Sequence, residues 1–380
     1  MGRAKVQICL VSGQTIPSLV PLLDPQLATT EVILAATADM GEQALRLQSV
    51  LKAQGLRCNQ LHLPDPFDMQ QLRDCFDRVA KQHSDIVANV TGGTKPMSIA
   101  AHASFSAHGH GVFYFRQDGS QIQWLHPLSR ASHTSTPPLS LKTFFAAHGV
   151  QLVELNRDPP AQNHGQAAAA LLRAILGRPE LIQLLNRYAN SLEGNANATL
   201  NARQRDQLGP VFEILCRHGM AHGDRRQPTF KTHQESVFAR GGWLEEYVFL
   251  LVKRLCSQIS GVQDLAMNVK IHHGKDGQIN NPNELDVVLL RNNTLYVIEC
   301  KTVRFSSKPH EAKNIIYQLD SIIRVIGGQY ARAMLLSSDE IGKGNSERAQ
   351  QYRINVQAGD DLARLEATLA DFLQAKIEAR

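Results

Sequence analysis

The sequence predicts an α/β protein: a doubly wound, mostly parallel sheet, then a small helical segment, then a second α/β unit. Three observations predict it. Short apolar runs alternate with amphipathic stretches from Val6 to Leu125, a polar Ser/Thr/Pro texture interrupts the chain after Leu128, and an α-β-β-β-α-β order follows Gly241. With 380 residues, 43% of them hydrophobic, the chain can fill two to three domains with real cores, which excludes a disordered tail protein.

In chain order, the runs VQICLV, EVILAA, CNQLHL, DIVANV and GVFYF read as strands. Between them, GEQALRLQSVLKAQG, DMQQLRDCFDRVAKQ and PMSIAAHASFSA read as helices. Gly55 stands where a helix C′ residue belongs and Asp68 where an N-cap belongs, so the punctuation agrees with the period. Residues 1–150 are therefore expected to form a Rossmann-like unit with helices on both sheet faces.

The stretches SRASHTSTPPLS and NRDPPAQNHGQ mark the exit from this unit. Residues 151–238 read as a mainly helical linker module, with a hairpin candidate at GDRRQPTFKTH compatible with a small winged helix. Residues 239–380 open with Gly241-Gly242 and a helix WLEEYVFLLVKRLC, then strands MNVKIH, ELDVVLLR and TLYVIECK, a helix EAKNIIYQLDSIIRVIG and a strand ARAMLLSS. No internal repeat or low-complexity tract is present.

Lys and Arg number 40 against 35 Asp and Glu, a net charge of +5 spread evenly over the three segments. Nucleic acid, if handled, meets a local groove and not a basic face. The six cysteines (Cys9, Cys58, Cys75, Cys216, Cys256, Cys300) form no C-x-x-C pair, and several lie in apolar runs, as buried thiols of a reducing compartment do. No leader-like stretch and no membrane-length apolar helix is visible, so a soluble cytoplasmic protein is expected.

The segment ELDVVLLR-NN-TLYVIECK is the most informative. Asn292-Asn293 suits a two-residue type I′ turn, which fixes the register: Arg291 faces Thr294, Asp286 faces Glu299 and Glu284 faces Lys301. Asp286, Glu299 and Lys301 then share one side of the sheet. Opposed carboxylates repel unless a cation separates them, and oxygen-only ligands favour Mg²⁺ or Mn²⁺. A water activated there attacks a phosphodiester, with Lys301 placed to hold it. On the preceding helix, Leu244, Val248, Leu251, Val252 and Leu255 form the buried stripe. Glu245 lies at its rim, about 75° from the centre, and Glu246 points to solvent. The competing interpretation is an ordinary hairpin whose acids face water, with Lys301 as a salt-bridge partner. Charge interrupting the apolar strand YVIECK counts against it.

This arrangement resembles the PD-(D/E)XK superfamily of restriction-endonuclease-like nucleases, matched by Glu245, Asp286, Glu299 and Lys301. The literal Pro-Asp pair is replaced by Asn283-Glu284-Leu285-Asp286, which leaves a helper role open for Glu284. The resemblance implies Asp286, Glu299 and Glu245 as metal ligands.

After DIVANV comes Thr91-Gly92-Gly93-Thr94-Lys95-Pro96-Met97-Ser98 and an apolar helix. Two glycines admit close backbone approach, Pro96 suits the first turn, and the helix N-terminus with Lys95 favours an anion. It is not a P-loop. The first strand ends in Ser12-Gly13-Gln14-Thr15, also at a carboxyl edge, where doubly wound sheets bind ligands. His102, His108 and His110 read as structural.

A Rossmann-like domain with T-G-G-T-K-P after its fourth strand resembles the CARF domain, the CRISPR-associated sensor of cyclic oligoadenylates. Followed by a helical module and an E-x-K unit, it is similar to the single-CARF CRISPR ancillary nucleases. That resemblance implies a homodimer, one cyclic tetra-adenylate held by both Lys95 loops, and metal-dependent cutting of single-stranded DNA or RNA, or nicking of DNA. Two rivals stay open: a ligand-responsive winged-helix transcription regulator, and an unregulated restriction or repair nuclease.

Overall fold

The computed structural model describes residues 5–178, 180–192, 200–224, 227–273, 282–305 and 308–375. The first five apolar runs become β1 (Val6–Leu10), β2 (Glu31–Ala36), β3 (Arg57–His62), β4 (Ile86–Asn89) and β5 (Gly111–Arg116), all parallel. The strands β6 (Gln121–His126) and β7 (His133–Thr134) add antiparallel at one edge, giving the order β3-β2-β1-β4-β5-β6-β7. Helices α1 (Ile16–Leu22), α2 (Gly41–Ala53), α3 (Met69–Gln82), α4 (Lys95–Ala107) and α5 (Leu141–Ala147) complete this Rossmann-like unit.

Alternate residues of the central strands enter opposite cores. Ile8, Leu10 and Val112 pack with Phe76 and Phe105, whereas Cys9, Val32, Leu34 and Phe113 pack with Phe144 and Phe145. Burial on both faces explains why these strands read as unbroken apolar runs. Gly55 adopts φ +83° after α2, and the Asp68 carboxylate caps α3 by accepting from Gln71 N, as the sequence requires.

The second sheet is mixed. It contains β8 (Gln151–Asn156), β11 (Val262–His272), β12 (Asn283–Arg291), β13 (Thr294–Lys301), β14 (Arg332–Ser337) and β15 (Ile354–Ala358), in the order β15-β14-β13-β12-β11-β8. The helix α10 (Trp243–Cys256) precedes β11; α11 (Pro309–Gly327), α12 (Lys343–Gln351) and α13 (Leu365–Gln374) connect and follow the parallel strands. The expected α-β-β-β-α-β order is present, extended by α12, β15 and α13.

The middle of the chain differs from its reading as a separate module. The strand β8, expected in the linker, pairs antiparallel with β11 as the edge of the second sheet. Half of its residues are exposed and the others half-buried, so Leu152, Val153 and Leu155 do not form the unbroken apolar run that marks a strand buried on both faces. The helices α6 (Gln162–Ile175), α7 (Glu180–Leu192) and α8 (Ala202–Arg217) share one core with α10 and the second sheet, where Leu171, Leu185 and Phe212 join Val248, Tyr296 and Ile298. The hairpin exists as β9 (Ala221–Asp224) paired with β10 (Gln227–Phe230), followed by α9 (His233–Val237); residues 225–226 at its turn lie outside the described residues. A winged-helix segment free to dock on its own is not what these contacts build. Among the described residues, no helix is long and apolar enough to cross a membrane.

Candidate active site

The Asn292-Asn293 turn has φ +47° and +61°, the left-handed pair a type I′ turn demands. The register runs from Arg291↔Thr294 to Val287↔Ile298, and the next pair outward is Asp286 with Glu299. Alternation holds: Val288, Leu290, Leu295 and Val297 face one core, and Val287, Leu289, Tyr296 and Ile298 the other. At Asp286 the side chain replaces the main-chain ladder, its Oδ2 accepting from Cys300 N at 2.6 Å. Lys301 Nζ bridges the two acids, 2.5 Å from Glu299 Oε1 and 3.6 Å from Asp286 Oδ2. The three residues therefore do converge on one side of the sheet.

Glu245 is delivered by a backbone device. The turn of π-helix Phe238–Gly242 ahead of α10 contains Gly241 at φ +142°, and a Cβ there would stand 2.6 Å from Thr302 Oγ1. The missing side chain lets the start of α10 rest against the residue that follows Lys301. Glu246 corrects the helical-wheel reading. It does not point to solvent: its Oε2 meets His164 Nδ1 at 2.8 Å, because α6 packs on the face of α10 that an isolated wheel leaves open. His164, whose ring also lies edge-on to Phe238, comes from a polar stretch about which the sequence gives no warning.

Charge is crowded here. Asp286 is only 6% exposed, and burial first, then Glu299 and Glu245, push its carboxyl well above the usual range against the pull of Lys301. Burial raises Glu245 to about 7, with Lys301 opposing and Glu284, Glu299 and Glu246 adding to the rise. Burial works against the Lys301 charge, yet Asp286 and Glu299 outweigh it and hold the ammonium above the ordinary lysine range. Glu284 sits exposed on β12, and with Glu299 it lines a cavity of about 490 Å³ closed by Ile315, Leu319 and Ile322 of α11. That wall was not legible in the sequence, because the fold alone brings α11 there.

Among the described residues, no three His, Cys, Asp or Glu side chains stand ready as a metal cluster, since the lysine lies between the acids. The donor chemistry nevertheless fits a hard cation: the acids are carboxylates only, and Asp286, Glu299 and Glu245 gather around the Lys301 ammonium.

The second predicted constellation lies at the carboxyl ends of β1 and β4, adjacent strands where the strand order reverses. A Cβ at Gly92 would lie 2.1 Å from Leu10 O and 3.2 Å from Ser12 Oγ, so the two loops touch there. The Thr91 hydroxyl donates to Asn89 Oδ1 and accepts from Phe115 N; Thr94 caps α4 through Met97 N and donates to Pro66 O. Both threonines are thus occupied in shaping the loop. Gly93 (φ +79°), Lys95, Gly13 and Gln14 are exposed, Ser12 and Thr15 are half-buried, and Pro96 lies in the first turn of α4. Gly13, Gln14 and Thr15 line a second cavity with Arg46, His148 and Arg324. Two of the three histidines are held by the main chain, as expected: His108 Nδ1 meets Ser104 O at 2.8 Å, and His110 Nε2 meets Ala80 O at 2.9 Å. All six cysteines are free.

Comparison with known proteins agrees with both α/β domains. Residues 6–144 match the Card1 CARF domain, and residues 232–376 match the Card1-like endonuclease domain. No curated protein matches by sequence. Among solved structures, protein VC1899 from Vibrio cholerae is similar at TM-score 0.86 and 20% identity, over 97% of this chain and 98% of that one. Can2 from Sulfobacillus thermosulfidooxidans, in complex with cyclic tetra-adenylate, is similar at TM-score 0.79 and 24% identity, over 98% and 97%. A type III CRISPR defence DNA nuclease activated by cyclic oligoadenylate is similar at TM-score 0.54 and 18% identity, over 89% of this chain and 46% of that one. The two domain matches together span most of the chain, which accordingly belongs with the CRISPR ancillary nucleases that join a Card1-type CARF domain to a Card1-like endonuclease domain.

Proposed function

We propose that the chain is a metal-dependent endonuclease of type III CRISPR defence, switched on by cyclic tetra-adenylate and cutting single-stranded DNA or RNA, or nicking DNA. The observation that carries the reading is the Asp286–Lys301–Glu299 cluster, joined in one chain to an anion-friendly loop at the sheet's switch point. The similar Can2 structure holds cyclic tetra-adenylate. Phe67 and Ile99, 71% and 59% exposed, flank the Thr91–Pro96 loop and suit pairing of two sensor domains. A two-fold dimer would present both Lys95 loops to one ring of four identical nucleotides, with Gly92, Gly93 and the Ser12–Thr15 edge forming its floor.

In the nuclease domain, Asp286 and Glu299 would hold Mg²⁺ or Mn²⁺, with Glu245 supporting them. When bound, such an ion supplies Lewis acidity at the scissile phosphate. Lys301 does the rest from its own position: its ammonium orients the attacking water and offsets charge gathering on the phosphate oxygens.

The deciding experiment is cleavage of labelled single-stranded RNA and DNA with Mn²⁺ or Mg²⁺, with and without cyclic tetra-adenylate, beside Glu299→Ala. Cleavage only with the ring, lost in the variant, is expected. Cleavage independent of the ring would leave an unregulated nuclease, and wild-type activity in Glu299→Ala would move the active site elsewhere.

A further inference from the structure

The turn between β12 and β13 does more than set their register, because it is buried in the sensor domain. Asn293 is fully buried, and its Nδ2 donates to Ser120 Oγ at 3.1 Å and to Ser135 O at 2.8 Å. Its Oδ1 accepts from Gln263 Nε2 at 2.8 Å, and its backbone N–H donates to Gln263 Oε1 at 2.7 Å. Ser120 Oγ in turn donates to Asn292 O at 2.8 Å. Ser120 ends the turn between β5 and β6, and Ser135 follows β7, so a nuclease turn is clamped by the sensor's sheet edge.

Both ends of this clamp lead to a functional loop. On the sensor side, the turn Gln117–Gly119 leads from Ser120 back to Phe115 of β5, whose N–H donates to Thr91 Oγ1 of the ligand loop at 2.7 Å. On the nuclease side, the two strands leaving the turn carry Asp286 and the Glu299–Lys301 pair. A paired hairpin moves as a stiff unit, so displacement of its turn displaces the acids at its far end.

We propose that Asn293 is a positioning residue through which the sensor domain sets the placement of Asp286, Glu299 and Lys301. The inference rests on the ring-activated nuclease reading and adds the joint that couples its two halves.

The test uses Asn293→Gly and Ser120→Gly in the full chain. Both positions have positive φ, +61° and +48°, so glycine keeps each backbone; Ser120→Gly removes the clamp alone, and Asn293→Gly removes it together with the bond from Gln263 Nε2. Melting and calorimetric binding of cyclic tetra-adenylate are measured first, then cleavage with and without the ring. Expected are wild-type ring affinity, a folded chain, and an activation ratio reduced about tenfold in each single variant, with no further loss in the double variant. A merely structural role would lower cleavage with and without the ring alike and leave the ratio intact, which would overturn the proposal. Hydrogen exchange of the β12 and β13 amides provides a readout independent of cleavage. If the ring alters that exchange equally in wild type and Asn293→Gly, or alters it in neither, Asn293 is not the joint. Wild-type cleavage indifferent to the ring identifies failure of the activation reading itself.

Discussion

Lys301 Nζ lies 2.5 Å from Glu299 Oε1, two residues before it on the same strand, and this contact occupies the space between the acids. One ammonium therefore offsets repulsion that a divalent cation would relieve more fully. Lys301→Ala is expected to reduce cleavage by about 100-fold or more. Its metal-free melting temperature should fall, while added Mn²⁺ should raise that temperature more than in wild type, because the acids lose the counter-charge that lies between them. Thermal scans across a Mn²⁺ titration check this; equal shifts in both proteins would argue that the acids bind no metal.

Glu245 gives a pH dependence of known sign. Its carboxyl is raised from 4.5 to about 7 by burial, so the native chain binds more protons than the unfolded chain between those values. Stability of the metal-free protein should accordingly fall as pH rises from about 4.5 to 7 and level off above, by on the order of 3 kcal/mol for this group. Asp286 is raised as well and adds to the slope. Urea denaturation at several pH values checks it, and Glu245→Gln should flatten part of the decline.

Much of this was readable in the residues. The Asn-Asn turn fixed the hairpin register by itself, and the β-α alternation gave the first sheet, since strands buried on both faces announce themselves as apolar runs. What escaped has physical reasons. The strand β8 is a sheet edge with no fully buried residue, and Glu154 interrupts its apolar residues. The helix α1 contains Pro21 in its interior, a residue that argues against a helix, yet it is wholly buried and held by packing. The His164–Glu246 pair joins residues far apart in sequence, so a wheel drawn for α10 alone misplaces Glu246.

Gly241 tests how the first acid is delivered. At φ +142°, with Thr302 Oγ1 2.6 Å from where a Cβ would stand, Gly241→Ala meets both backbone strain and a clash. A cost of about 1 to 3 kcal/mol is expected, with lower cleavage as α10 withdraws Glu245 from the cluster. Adding Thr302→Ala removes the clash and leaves the strain, so the double variant should recover only part of the melting temperature. Full stability in Gly241→Ala would show that α10 reaches its place by another route.

Lys95 allows the sensor to be tested apart from the nuclease. It is exposed at the first residue of α4, where the helix dipole disfavours a cation by about 0.3 to 1 kcal/mol, so Lys95→Ala should leave the free protein as stable as wild type or slightly more so. A bound phosphate reverses the balance, because the ammonium and the helix N-terminus then act on the same anion. The variant should therefore bind cyclic tetra-adenylate about tenfold or more weakly, with a shallower dependence on salt, while its metal-dependent melting shift stays that of wild type. Calorimetry across a salt series reads the first two effects, and thermal scans with Mn²⁺ read the third. Undiminished ring affinity would remove Lys95 from the binding site and shift the anion contacts to the backbone of Gly92 and Gly93.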